Sequence, residues 1–397
     1  MTAAPTGAPD AVAPPPHHPR FPLIDGVRAI AVISIVVVHS AGAAAVTGGS
    51  LGGRLLAHLN VGVAIFFVVS GFLLYRPFVA HRAGGADPPA VSAYAKRRVL
   101  RIFPAYWLAL LAFTVLPGLT GVYAGHWLAQ VGLVQTLPAA PMPSCTTAPQ
   151  SCDLAQTWSL VVEATFYLLL PVFWLVSERL YRALRPGRWV GVELLGLACL
   201  AAVSLVATFS NADGWVLDWV RSSALGYGLW FAFGMGMATI SATGNTSTRG
   251  GTVVAAIAKR PWLPWLAAAA LYLGLALDLP PTAFLFNRGD QLLANIAFGL
   301  IALLVVMPAV FGAPGRGPGR ILGAPAAAWL GLISYGMFLW HYVFTVKLGT
   351  GGAGWGFVPI LAVALAGSIA CAAVSYYALE RPVLRLKYSA RDRTTRR

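Results

Sequence analysis

Ten apolar runs of about 20 residues punctuate this chain, and no other feature narrows its fold as much. They lie near 24–46, 60–80, 102–120, 158–177, 189–209, 222–242, 263–280, 291–313, 326–348 and 357–380. At about 1.5 Å of rise per residue, each is long enough to cross the roughly 30 Å hydrocarbon layer of a bilayer as a helix. Backbone polar groups in lipid have to be satisfied within the segment. The runs therefore predict an all-α integral membrane protein, a bundle of about ten transmembrane helices. Charge depletion agrees: 10% of the residues are charged, against about 25% in soluble domains, too few to coat a water-facing surface. The weakly apolar stretch 126–138 is too short to cross and reads as a re-entrant or interfacial piece.

Lys and Arg orient the bundle. With the N-terminus inside and the runs alternating, all but four of the 28 Lys and Arg residues fall on the inner side; the exceptions are Arg54, Arg221, Arg288 and Lys347. This asymmetry places both termini in the cytoplasm and makes the chain a multi-pass protein of the plasma membrane. Residues 1–22, rich in Ala and Pro, read as a disordered cytoplasmic tail, 23–382 as the transmembrane domain and 383–397 as a basic cytoplasmic tail. The first run superficially resembles a signal peptide, but it is long for one and carries Arg28 and His39, so it reads as an uncleaved span. The net charge of +15 does not point to nucleic acid, because the charges flank apolar spans.

The four cysteines divide by context. Cys199 and Cys371 sit inside apolar runs and read as small core residues. Cys145 and Cys152 sit in an outer loop, roughly 121–157, that holds no Lys or Arg. A disulfide between them is expected in an oxidising compartment. No His or second Cys pair lies nearby, so no metal site is expected.

Polar side chains inside the spans carry the functional signal, since each is costly in lipid. The first span contains Asp25, Arg28 and His39. Arg28 and His39 are eleven residues apart, so they share a helix face to within about 20°. That puts Arg28 at the inner surface and His39 about 16 Å higher, near the midplane. Asp25 lies on the same side, so one stripe carries an acid, a cation and a proton-transfer group. Arg97, Arg98 and Arg101 open the third span from the inside; they can act as topology determinants or, through Arg98 and Arg101 at i and i+3, as a phosphate clamp. Ser70-Gly71 in the second span reads first as a close-packing pair. Glu163 stands about one and a half turns into the fourth span, where a carboxylate needs a cation, a proton or a role. The ninth span holds Ser334, Tyr335 and His341, with His341 in its outer half. Glu380-Arg381-Pro382 reads as a helix stop with a local ion pair.

Taken in order, these pieces resemble the acyltransferase type 3 family, bacterial multi-span proteins that acylate hydroxyl groups. The matching pieces are Asp25-Gly26-Val27-Arg28 with His39, Phe66 to Phe72, Arg98-x-x-Arg101 before Ile102-Phe103-Pro104, Trp158-Ser159-Leu160 with Glu163, Ser334-Tyr335 with His341, and Glu380-Arg381-Pro382. The resemblance implies ten spans, an acyl-CoA donor from the cytoplasm, no permanently bound cofactor, and an essential His in the first span. His39 would then be the general base or a transient acyl carrier, with Asp25 and Glu163 as further catalytic candidates. Arg28, Arg97, Arg98, Arg101, Ser70, Tyr335 and His341 would bind donor or acceptor. Some relatives carry a soluble hydrolase-like domain after the last span; here fifteen residues follow Pro382, and the chemistry is expected to take place in the bundle.

The implied acceptor is a hydroxyl on a carbohydrate-containing molecule. It is either a cell-surface glycan or a macrolide-type secondary metabolite, a role that suits the Arg-, Ala-, Gly- and Pro-rich composition of a high-GC genome. A second class remains: a proton-coupled transporter of an anionic or lipid solute, with the Arg28–His39 stripe serving the proton. No internal repeat is visible, and that disfavours the transporter.

Overall fold

The computed structural model describes residues 21–84, 89–115, 127–138, 154–184, 189–210, 212–243, 248–281, 287–350 and 354–385. The expected disulfide partners Cys145 and Cys152, most of both tails and part of the 121–157 loop lie outside the described residues. Among the described residues the chain is helical, with no strand. In chain order the α-helices are α1 (Leu23–Ala43), α2 (Leu51–Ala57), α3 (Val61–Arg82), α4 (Val91–Val115), α5 (Trp127–Val131), α6 (Trp158–Leu184), α7 (Trp189–Phe209) and α8 (Trp215–Arg221). They continue with α9 (Gly228–Thr243), α10 (Thr248–Lys259), α11 (Trp262–Asp278), α12 (Arg288–Phe311), α13 (Pro318–Leu322), α14 (Pro325–Thr350), α15 (Phe357–Ser375) and α16 (Arg381–Arg385).

Each of the ten apolar runs has its helix. Among the described residues, eight helices are long and apolar enough to cross a bilayer. The other two runs form α9, of 16 residues, and α11, of 17. The run that begins at 222 falls short because its first residues fold into turns instead of helix. Ser223 and Ala224 are buried there, and side chains satisfy the freed backbone: Ala224 N–H donates to Thr165 Oγ1 at 2.8 Å, and Ser204 Oγ donates to the Gly226 carbonyl at 2.6 Å. Broken helix is tolerated at membrane depth when protein groups replace the lost bonds. Of the 126–138 stretch, the described residues 127–138 form α5 and turns. It is held on α4 by Tyr106 OH to the Gln130 carbonyl at 2.6 Å and Trp107 Nε1 to the Val131 carbonyl at 3.0 Å.

Glycines set how closely the central helices approach. A Cβ on Gly331 of α14 would lie 1.8 Å from the Asp25 carbonyl oxygen of α1. On α3, a Cβ at Gly71 would lie 2.5 Å from the Phe231 carbonyl oxygen, and a Cβ at Gly234 of α9 would lie 2.0 Å from that of Val68. Small residues at helix crossings let backbones meet without a hydrophobic drive from solvent. Gly234→Ala is expected to push α3 and α9 apart and destabilise the protein by about 1–3 kcal/mol, read as a lower Tm in detergent. Gly236→Ala, whose nearest neighbour would be 3.9 Å away, is expected to leave Tm unchanged.

Two readings are corrected by the fold. Cys199 is exposed on α7, and Cys371 is half-buried; an apolar run in a bundle supplies lipid-facing as well as core positions. The last span's helix also does not stop at Glu380-Arg381-Pro382. Residues Tyr376–Glu380 widen into a π-helical turn and α16 resumes at Arg381. A π turn re-phases the backbone ladder just before the proline, which lacks an N–H. Glu380 then reaches across to Arg101 at 3.7 Å.

Candidate active site

A cavity of about 1000 Å³ opens among α1, α3, α4, α6 and α14, at the end of the bundle where α1 begins and α16 ends. Its walls change character with depth. Asp25, Arg28, Arg98, Arg101 and Arg320 give it a charged outer part, with Ser70, Glu163, Tyr167 and Tyr335 beyond. Ile35, Val63, Phe66, Phe67, Leu160 and Phe338 supply apolar wall. Four guanidinium groups and two carboxylates line it, so the cavity favours an anion at its charged part.

The cations are not equivalent. Arg28 pairs with Asp25 at 3.4 Å. Arg101 pairs with Glu380 at 3.7 Å and lies over the Tyr335 ring, 5.7 Å from its centroid. Arg320 Nε donates to the Gly315 carbonyl at 2.9 Å. Arg98 makes no ion pair among the described residues. Its guanidinium lies 5.6 Å from the Tyr167 centroid and 5.9 Å from that of Tyr94, and its buried Nε has no hydrogen-bond partner. A stacked, planar guanidinium with free donors is suited to a phosphate. Arg97 is absent from the cavity wall, as expected for a residue about 100° from Arg98 around the helix.

Glu163 is held by two hydroxyls. Ser70 Oγ donates to its Oε1 at 2.6 Å and Tyr167 OH donates to the same oxygen at 2.7 Å. Ser70-Gly71 thus divides its work: the glycine admits α9, and the serine orients a cavity carboxylate. Tyr335 OH donates to the Ile102 carbonyl at 2.9 Å, which fixes its ring beneath Arg101.

Close packing of α1 on α14 brings together two histidines 302 positions apart. His39 Nδ1 and His341 Nε2 are 2.7 Å apart, with ring planes within 5° of parallel. Tyr342 meets the His39 ring edge-on, 5.3 Å between centroids. His341 is fully buried, and its Nδ1 faces the carbonyl oxygens of Phe338 at 2.8 Å and Met337 at 3.2 Å. Neither histidine is part of the cavity wall; Ile35, four residues before His39, and Phe338, three before His341, are. On the 21-residue α1, His39 stands six residues beyond the middle, about 9 Å into its far half instead of at its midpoint. Asp25 is fourteen residues below it, about 21 Å along the helix, too far to share a proton.

The structure therefore gathers Asp25, Arg28, Arg98, Arg101, Ser70, Glu163 and Tyr335 around one cavity and pairs His39 with His341 about one helical turn from two of its wall residues, Ile35 and Phe338. The sequence reading missed Arg320, which it counted only as an inner-side charge, and the pairing of the two histidines. No local periodicity signals a contact between the first and ninth runs. Gly331 of α14, which packs on the Asp25 backbone of α1, was the available hint.

A bundle of long apolar helices around a basic cavity defines a multi-pass membrane protein. Residues 21–378 match the acyltransferase domain family, acyltransferase type 3, and the chain belongs to it. It is similar to YrhL of Bacillus subtilis (strain 168), provisionally named a peptidoglycan O-acetyltransferase. The two are 26% identical over 387 residues, 92% of this chain and 55% of the relative. It is also similar to the peptidoglycan O-acetyltransferase OatA of Listeria monocytogenes, 23% identical over 346 residues, 81% of this chain and 49% of the relative. The O-acetyltransferase OatA of Staphylococcus aureus (strain NCTC 8325) matches at 27% over 168 residues, 39% of this chain and 25% of the relative. The chain thus spans about half the length of the first two relatives. No solved structure matches it.

Proposed function

We propose that the protein is a membrane O-acyltransferase that moves a short acyl group from acyl-CoA to a hydroxyl of a cell-surface glycan. The observation that carries the reading is the cavity: cationic in one part, apolar along part of its wall, and walled by Ile35 and Phe338, about one helical turn from His39 and His341. Its volume of about 1000 Å³ suits a large ligand, since drug-sized pockets run from about 300 to 1,000 Å³. Arg98, and then Arg28, Arg101 and Arg320, would bind the phosphates of coenzyme A. The pantetheine arm would lie along the apolar wall, with its thioester pushed between Ile35 and Phe338. The cavity mouth carries the arginines that the positive-inside rule assigns to the cytoplasm, where acyl-CoA is available. The names of the similar proteins support a peptidoglycan-type glycan over a macrolide as acceptor.

In the transfer step, the acceptor hydroxyl oxygen forms a bond to the thioester carbonyl carbon while its proton passes to Nε2 of His39. The carbon–sulfur bond then breaks, and the departing thiolate takes that proton back from His39. The protein ends unchanged and the products are an O-acyl ester and free coenzyme A. Purified protein given labelled acetyl-CoA and glycan fragments should yield labelled O-acetyl glycan by mass spectrometry. Transfer from no acyl-CoA of any chain length would remove the donor assignment.

Donor recognition has its own test. Arg98→Ala is expected to weaken acyl-CoA binding by roughly 10- to 150-fold, the worth of one charge-assisted hydrogen bond of about 1.5–3 kcal/mol. Arg101→Ala should cost less in affinity, because Arg101 already answers Glu380. Isothermal calorimetry with a non-transferable acyl-CoA analogue reads both; unchanged affinity in both variants would take the arginines out of the donor site.

A further inference from the structure

We propose that His341 is a positioning residue that fixes the tautomer of His39 and so presents a bare Nε2 to the reacting groups. This rests on the reading of His39 as the general base. The argument runs along one chain of hydrogen bonds. Nδ1 of His341 faces two carbonyl oxygens, those of Phe338 at 2.8 Å and Met337 at 3.2 Å. A carbonyl oxygen only accepts, so that nitrogen carries a proton. In a neutral imidazole the other nitrogen, Nε2, then has a lone pair. It is 2.7 Å from Nδ1 of His39, so His39 Nδ1 is the donor in that bond. The remaining nitrogen of His39, Nε2, is left with its lone pair free.

Two other proton arrangements fail on physical grounds. If His39 Nδ1 accepted from a neutral His341, Nδ1 of His341 would turn a lone pair toward two carbonyl oxygens. If His341 were an imidazolium, a charge would sit in a fully buried ring, and among the described residues no carboxylate contacts either histidine. An unpaired charge at that depth is expensive.

The arrangement resembles the base-and-orienter logic of acyl-transfer triads, with a neutral imidazole where an aspartate often stands. A neutral partner avoids storing a permanent negative charge in the membrane. When His39 gains a proton at Nε2, the Nδ1–H bond to His341 is strengthened, so the developing cation is met by an acceptor already in place. Packing fixes the pair further, since Tyr342 stands edge-on to the His39 ring and Phe338 packs beside His341.

The test is nitrogen-15 NMR of selectively histidine-labelled protein in bilayers, with the His39 signals assigned by their loss in His39→Asn. Wild type is expected to show His39 protonated at Nδ1 and bare at Nε2, whether or not any acyl donor is turned over. In His341→Phe the His39 ring should lose that fixed state. kcat should fall by roughly a hundredfold, within the usual range for general-base effects, while KM for acyl-CoA stays within about twofold. His341→Gln, which keeps an acceptor oxygen, should hold the Nδ1–H tautomer and recover most of kcat. A wild-type His39 carrying its proton on Nε2 would overturn the proposal, as would equal kcat in the Phe and Gln variants. A wild type that shows the expected tautomer but acylates nothing from acyl-CoA would instead overturn the donor reading and leave the positioning role standing.

Discussion

His39→Ala is expected to lower acyl transfer by about 10²- to 10⁴-fold, the range for loss of a positioned general base, while the protein still folds. The loss is large because the other basic groups are displaced from the position of His39 Nε2. His341 lies behind the missing ring, Glu163 is oriented through one oxygen by Ser70 and Tyr167, and Asp25 pairs with Arg28 about 21 Å along α1. Truncation also leaves Nε2 of His341 without its donor, a cost of about 1–3 kcal/mol, small enough for the bundle to survive. The check is turnover with labelled acetyl-CoA alongside the elution profile and Tm of the variant. A variant that retains its fold and more than about a tenth of wild-type turnover would remove His39 as the base.

The largest expected effect on stability lies elsewhere, in a charged knot between α3, α6 and α7. The Arg82 guanidinium is almost wholly buried; it bonds Glu178 at 3.0 Å and Ser177 Oγ at 3.1 Å, and pairs closely with Glu193. Glu193 is fully buried and also accepts from Tyr75 OH. Removing one partner of a buried pair strands the other charge. Arg82→Leu is therefore expected to destabilise the protein by about 3–5 kcal/mol, read as a marked drop in Tm in detergent. The double variant Arg82→Leu, Glu193→Gln should regain part of that loss, because the buried carboxylate is gone. Equal Tm for the single and double variants would mean that Glu193 is not the charge being compensated.

Much of this architecture could be read in the amino-acid sequence, because lipid imposes a length and polarity rule on every crossing segment. The ten runs found their helices, and the glycine beside Ser70 found its close crossing. What apolarity could not reveal was where helix gives way to turns, as at 222–227, since Ser223 and Ala224 look like any small membrane residues until Thr165 and Ser204 are seen to serve their neighbours' backbone. The cavity residues were legible one by one, because a charged side chain in an apolar run needs a reason. Their partners were not. Arg82 counts as an ordinary inner-side cation, and Glu193, inside the fifth run, is missed by the sequence reading; the fold joins them as a close pair between α3 and α7. A ligand-binding role for His341 is what the resemblance implies; its partner His39 is 302 positions away, a contact that no local pattern signals.

Ile35 and Phe338 expose the central claim to a direct measurement, since they are the cavity-wall residues about one helical turn from His39 and His341. A cryo-electron microscopy structure with a non-transferable acyl-CoA analogue should show phosphate at Arg98, the Ile35 and Phe338 side chains parted, and the acyl carbonyl beside Nε2 of His39. An analogue bound elsewhere on the bundle, or bound in the cavity with its acyl group directed away from His39, would contradict the account.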